Sequence, residues 1–142
     1  MTWIIDASVA AKWFFLEEDH AAALSILKRG EPLHAPKFVL IELANIAWLK
    51  LQKGEGTPLQ AARVPRVALV AFDELHDDAD WLPRAIEIAA ELRHPVYDCL
   101  YLAGAEALKA TMLTADRRFL RQAHGTNHEN RVILFSDIPA RP

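Results

Sequence analysis

Short apolar runs alternating with longer helix-forming stretches are what most limit the folds open to this chain. Residues 2–5, 33–35, 72–76, 111–114 and 132–135 read as extended segments. Between them lie stretches with helix start and stop signals: Ser8 capping Val9 to Phe15, Asp19 capping a helix to Arg29 closed by Gly30, and Pro36 opening one to Lys53 stopped by Gly54. Thr57 caps a further helix with Pro58 in its first turn, running to about Ala71 with a kink expected at Pro65. Helices are also predicted over Trp81–Arg93, with Pro83 in the first turn after the start at 77–80, over 97–109 and over Arg117–Ala123. Strands alternating with helices imply an α/β fold around a central, mostly parallel sheet of about five short strands.

At 142 residues the chain fits one domain, 1–142, and needs no second core. A net charge of −3 means that any contact with nucleic acid must be local rather than a property of the whole surface. Cys99 is alone, which rules out an intramolecular disulfide and fits a reducing compartment; the expected location is the cytoplasm. Asp6 and Lys12 interrupt the first apolar stretch, and no apolar run reaches the ~18 residues needed to span a bilayer, so no membrane partner is expected.

Four acids stand where these runs would deliver a carboxylate to the rim of a parallel sheet. Asp6 ends Trp3-Ile4-Ile5, Glu42 interrupts the apolar stretch from Phe38 to Ala44, and Asp98 and Asp116 follow Val96-Tyr97 and Met112-Leu113-Thr114-Ala115. An unpartnered buried carboxylate costs several kcal/mol, so several acids in apolar surroundings point to a cation that neutralises them. Singly, each has a plainer reading: Asp6 as a helix cap, Glu42 as the partner of a buried arginine, Asp98 as an acid favoured at a helix N-terminus.

The residues around these acids complete four motifs in order. Ile5-Asp6-Ala7-Ser8-Val9, Glu42 with Asn45, Tyr97-Asp98-Cys99-Leu100-Tyr101-Leu102-Ala103 and Leu113-Thr114-Ala115-Asp116-Arg117-Arg118-Phe119 resemble those of the PIN-domain ribonucleases, and within them the VapC-type toxins. The resemblance covers nearly the whole length. It implies an α/β/α sandwich, a Mg²⁺- or Mn²⁺-dependent endoribonuclease leaving 5′-phosphate and 3′-hydroxyl ends, a homodimer, and an antitoxin encoded beside it. Some relatives carry a further acid two residues after the fourth position, where this chain has Arg118.

On this reading Asp6, Asp98 and Asp116 are the principal metal ligands, and Glu42 binds through water or orients the attacking water. Ser8 and Thr114 place hydroxyls close to two of the acids, and Asn45 lies one helical turn from Glu42. Lys12, Arg117, Arg118 and Arg121 are the cations available to RNA phosphates. The six histidines show no metal-binding spacing and read as structural or exposed. The third helix is apolar around most of its circumference, so it and the next helix are expected to form the dimer or an antitoxin groove.

Three other functions share parts of this pattern. A haloacid dehalogenase-type phosphatase needs a second Asp where Ser8 stands, and a receiver domain needs a lysine after the last strand, where no lysine lies beyond Lys109. A non-catalytic module of the same fold is the remaining alternative.

Overall fold

Trp3, Ile4 and Ile5 are completely buried and make β1 (Trp3–Ile5), the middle strand of the sheet. The computed structural model describes residues 1–139; the last three residues of the expected 1–142 domain lie outside the described ones. The five strands are β1, β2 (Leu33–Pro36), β3 (Glu74–His76), β4 (Thr111–Thr114) and β5 (Val132–Leu134), in the spatial order β3-β2-β1-β4-β5. Every neighbouring pair is parallel.

Parallel strands need long crossovers, and among the described residues seven α-helices supply them. They are α1 (Ala7–Ala10), α2 (His20–Leu27), α3 (Phe38–Gln52), α4 (Pro58–Ala71), α5 (Asp78–Leu92), α6 (Val96–Ala107) and α7 (Arg117–Ala123). The run Cys99 to Ala105 is buried throughout, because α6 lies across β1, β2 and β4 with α5 packed on it. α3 packs on β2 and α1, and α7 on β5, completing the α/β/α sandwich. Gly104 is where α5 and α6 approach most closely: a Cβ there would stand 2.4 Å from the Trp81 ring.

Thr57 caps α4 as expected, in a reciprocal capping box with Gln60. Several expected helix starts are corrected. Asp6, not Ser8, is the cap of α1, since its carboxylate accepts from the Ser8 N–H. Asp19 precedes α2 with φ 64° and makes no side-chain cap. Pro36 closes β2 rather than opening α3, and the free Phe38 N–H is satisfied by Asp78 Oδ1 at 2.9 Å from across the sheet edge. α5 begins at Asp78, so Pro83 falls inside it rather than in its first turn. α4 continues as one helix through Pro65.

The apolar surplus of α3 stays outside the core. Val39, Leu43 and Ala47 are buried, whereas Ile41, Trp48 and Leu49 are exposed, as are Leu59, Val67, Leu69 and Val70 of α4. Among the described residues no helix is long and apolar enough to cross a membrane.

Candidate active site

Strand order reverses beside β1: the chain steps outward to β2 and β3, then returns to lay β4 on the other side. Open parallel sheets present their ligand crevice at such a switch, outside the carboxyl ends of the strands. Asp6 follows β1 and Asp116 follows β4, so both stand at that crevice.

Asp6 is only 3% exposed. One carboxylate oxygen, Oδ1, accepts from the Ser8 N–H, and Oδ2 accepts from the Thr114 hydroxyl at 2.6 Å. Thr114 Oγ1 in turn accepts from the Asp116 N–H at 3.1 Å, while Ser8 Oγ accepts from the Ala115 N–H at 3.0 Å. The two strand ends are therefore laced together by Ser8 and Thr114. Asp116 uses Oδ1 to cap α7, accepting from the N–H groups of Arg118 and Phe119.

The other two acids arrive from helices. Glu42, half-buried on α3, accepts at Oε1 from the hydroxyl of Tyr101 on α6, at 2.5 Å. Asp98 lies in the first turn of α6, and its Oδ2 meets His94 Nε2 at 2.5 Å. The other His94 nitrogen meets Gln122 of α7, and the ring packs on Phe119, 4.9 Å between centroids. Asp98 is thus oriented by a histidine whose own position is fixed from the helix that Asp116 caps.

Three of the acids feel one another. Burial pushes the Asp6 carboxyl up to about 6 against the lowering hydrogen bonds from Ser8 and Thr114, and the Asp98 charge adds to the rise. Glu42 is pushed up to about 7, first by burial and then by the charges of Asp6 and Asp98, with only the Tyr101 hydroxyl opposing. Tyr101 is held well above its ordinary value by burial and by Glu42, so it remains a donor. Among the described residues no cationic side chain pairs with Asp6 or Glu42. Oxygen donors, mutual repulsion and a buried, uncompensated carboxylate fit a hard divalent cation.

The remaining expected residues are more peripheral. Asn45 is exposed on α3, and its side chain makes no hydrogen bond among the described residues. Lys12 donates to the Glu18 carbonyl and pairs with Glu17 at 3.8 Å. Arg117, Arg118 and Arg121 are exposed along α7 and make no ion pair among the described residues. Sequence reading missed Tyr101, His94 and Gln122. The first lies inside the motif from Tyr97 to Ala103, among apolar residues; His94 stands four residues before Asp98, a spacing that Pro95 between them makes hard to read as one helical face.

Known proteins share the fold that carries these residues. Residues 3–125 match the PIN domain model. The chain is 28% identical over 120 residues to Ribonuclease VapC3 of Pyrobaculum aerophilum, covering 83% of this chain and 92% of that protein. A crystal structure of a Pyrobaculum aerophilum protein superposes with a TM-score of 0.69 at 24% identity, over 89% of this chain and 82% of the other. A toxin-antitoxin complex from Klebsiella pneumoniae contains a chain with a TM-score of 0.65 at 16% identity, over 93% of this chain and 96% of that one.

Proposed function

Because the chain belongs to the PIN-domain family, we propose that it is an endoribonuclease dependent on a divalent cation, Mg²⁺ or Mn²⁺, acting as the toxin of a toxin–antitoxin pair. The observation that carries this reading is Asp6: a buried carboxylate at the sheet's switch point, coupled to Glu42 and Asp98 and neutralised by no side chain among the described residues. Asp6, Asp98 and Asp116 would hold the cation, with Glu42 beside it. The naming of the Pyrobaculum relative as a ribonuclease supports the substrate class.

When bound, the cation neutralises these carboxylates and stabilises the charge that develops on the phosphate oxygens. The protein's own groups do the positioning. Thr114 and the Ser8 N–H fix Asp6, and His94 fixes Asp98. Tyr101 holds Oε1 of Glu42, leaving Oε2 to orient water and accept its proton. Water attacks phosphorus, the bond to the 3′ oxygen breaks, and that oxygen takes a proton, leaving 5′-phosphate and 3′-hydroxyl ends. Exposed Arg117, Arg118 and Arg121, at the rim beside Asp116, receive the RNA backbone.

The whole chain, 1–142, serves as one domain in this reading, working in the cytoplasm as a homodimer. The exposed apolar faces of α3 and α4 support both a second copy and an antitoxin tail. Between them and the segment after α1 runs a groove of about 310 Å³ whose lining includes Phe14, Phe15, Leu16, Val64 and Val67. The assembly named for the Klebsiella neighbour supports an antitoxin as partner.

The test is to incubate antitoxin-free protein with total RNA in Mg²⁺, Mn²⁺ or EDTA, alongside Asp6→Asn, and to map new 5′-phosphate ends. Cuts that need the cation and vanish in the variant are expected. A folded protein that neither cuts nor binds Mn²⁺ would replace this reading with a non-catalytic module.

A further inference from the structure

At the edge of the sheet farthest from the arginines, two histidines that sequence spacing separates are brought face to face. His34 Nδ1 lies 2.8 Å from His76 Nε2, and Glu74 Oε2 lies 3.9 Å from each. The parallel register explains the meeting: His34 pairs with Glu74 and Pro36 with His76, so all three side chains leave the same face of β2 and β3. From the geometry we infer a second metal site at His34, Glu74 and His76, one for Zn²⁺ or a similar borderline cation, distinct from the acidic centre.

Three observations carry it. The three donor atoms all lie within 4.8 Å of one another, and no three of the active-site acids do so among the described residues. Both rings are positioned: they lie edge to edge and nearly coplanar along the hydrogen bond, with centroids 5.1 Å apart at 23°, and His76 stacks on Trp81 at 4.8 Å. Nearby acids already have partners: Asp73 accepts from the Leu33 N–H, Asp77 from Lys37 and Asp78 from the Phe38 N–H, whereas among the described residues the Glu74 carboxylate has only the two imidazoles, each at 3.9 Å.

A tetrahedral ion needs a local adjustment. Zn–N bonds of about 2.0–2.1 Å place two ligand atoms roughly 3.3 Å apart. The imidazole nitrogens must therefore part by about half an ångström, each ring turning by roughly 35° so that its lone pair leaves the N···N line, and the carboxylate of the largely exposed Glu74 must close by a similar distance. The proton shared between the rings moves to an outer ring nitrogen, so neutral histidines suffice. With three protein ligands the fourth position falls to water. Such an ion pins β3, an edge strand paired on one side only, to β2. Imidazole donors favour Zn²⁺ over Mg²⁺, so this site and the carboxylate centre select different cations.

The experiment titrates chelator-stripped protein with Zn²⁺ in excess Mg²⁺ by calorimetry, and with Co²⁺ by visible absorption, for wild type, Asp6→Asn, Glu74→Gln and His76→Phe. One Zn²⁺ per chain, retained in Asp6→Asn, weakened roughly tenfold or more in Glu74→Gln and abolished in His76→Phe, is the expected result. Co²⁺ should give the intense band of four-coordination, and Zn²⁺ should shift the imidazole ¹⁵N resonances of His34 and His76 in wild type. Glu74 is exposed, so its variant keeps the test valid if His76→Phe fails to fold. Zn²⁺ affinity unchanged in Glu74→Gln, or lost in Asp6→Asn, or resonances that do not move, overturns the site. None of these outcomes depends on RNA cleavage.

Discussion

Replacing Asp6 with Asn should make the cation-free protein more stable at pH 8 while abolishing cleavage. The carboxyl is raised from 3.8 to about 6, chiefly by burial, which at about 1.4 kcal/mol per pK unit corresponds to ~3 kcal/mol of strain in the ionised form. A raised carboxyl pKa means the folded state binds the proton more tightly than the unfolded state. The penalty is therefore absent below about pH 4, grows between about 4 and 6, and is complete above about 6. Asn keeps the α1 cap, being as good an N-cap as Asp, and its amide can donate to Thr114 Oγ1. Urea unfolding in EDTA at pH 4 and pH 8 should thus show little difference at the lower pH and a gain for Asp6→Asn of up to ~3 kcal/mol at the higher. Mg²⁺ should close the gap and then reverse it, since only the wild type gains: an ion at 100 times its Kd contributes about 2.7 kcal/mol, which roughly cancels the variant's advantage, and at 1,000 times about 4.1 kcal/mol, which exceeds it. A variant less stable than wild type in EDTA at pH 8 would refute the reasoning, for it would make Asp6 a contented structural cap.

Tyr101→Phe removes the donor to Glu42 Oε1 and should slow cleavage by about ten- to a hundredfold, the worth of a hydrogen bond to a charged group. Without that donor the Glu42 carboxyl rises further above 7, so rate–pH profiles should show partial recovery toward pH 9. Gly104→Ala drives a methyl into the Trp81 ring and should lower stability by ~1–3 kcal/mol from overpacking, less about 1 from better helix propensity, read as a fall in the thermal midpoint. Arg121→Ala should leave the fold alone, weaken RNA binding, and reduce the slope of log K against log salt by about 0.7 on single strands.

Four of the five strands were legible because each is a short, largely apolar run, broken in β2 by His34, and lies buried on both faces or nearly so. β3 is the exception. Glu74-Leu75-His76 carries no apolar run, and only its pairing with β2 makes it a strand. Helix starts were read less well where the satisfying group came from elsewhere in the chain. Nothing local marks Phe38 as the start of α3, because its N–H is met by Asp78, forty residues on. Asp19 fits a cap by residue type, yet its left-handed backbone turns the carboxylate away from the helix it precedes.

The same distinction separates the two clusters of ligating side chains. Asp6 and Asp116 announce themselves, since each ends a strand and the end of a strand in a parallel sheet has only one place to be. Glu42 and Asp98 needed the packing of α3 and α6, and their second partners, Tyr101 and His94, needed the side chains as well. His34 and His76 are separated by 42 residues in sequence and by 2.8 Å in space, a distance fixed entirely by which strand lies beside which and in what register. One residue of slip between β2 and β3 would turn His34 and His76 to opposite faces. A site built on register has no spacing motif to read, so the absence of a histidine motif in the sequence carried no information about whether imidazoles would meet.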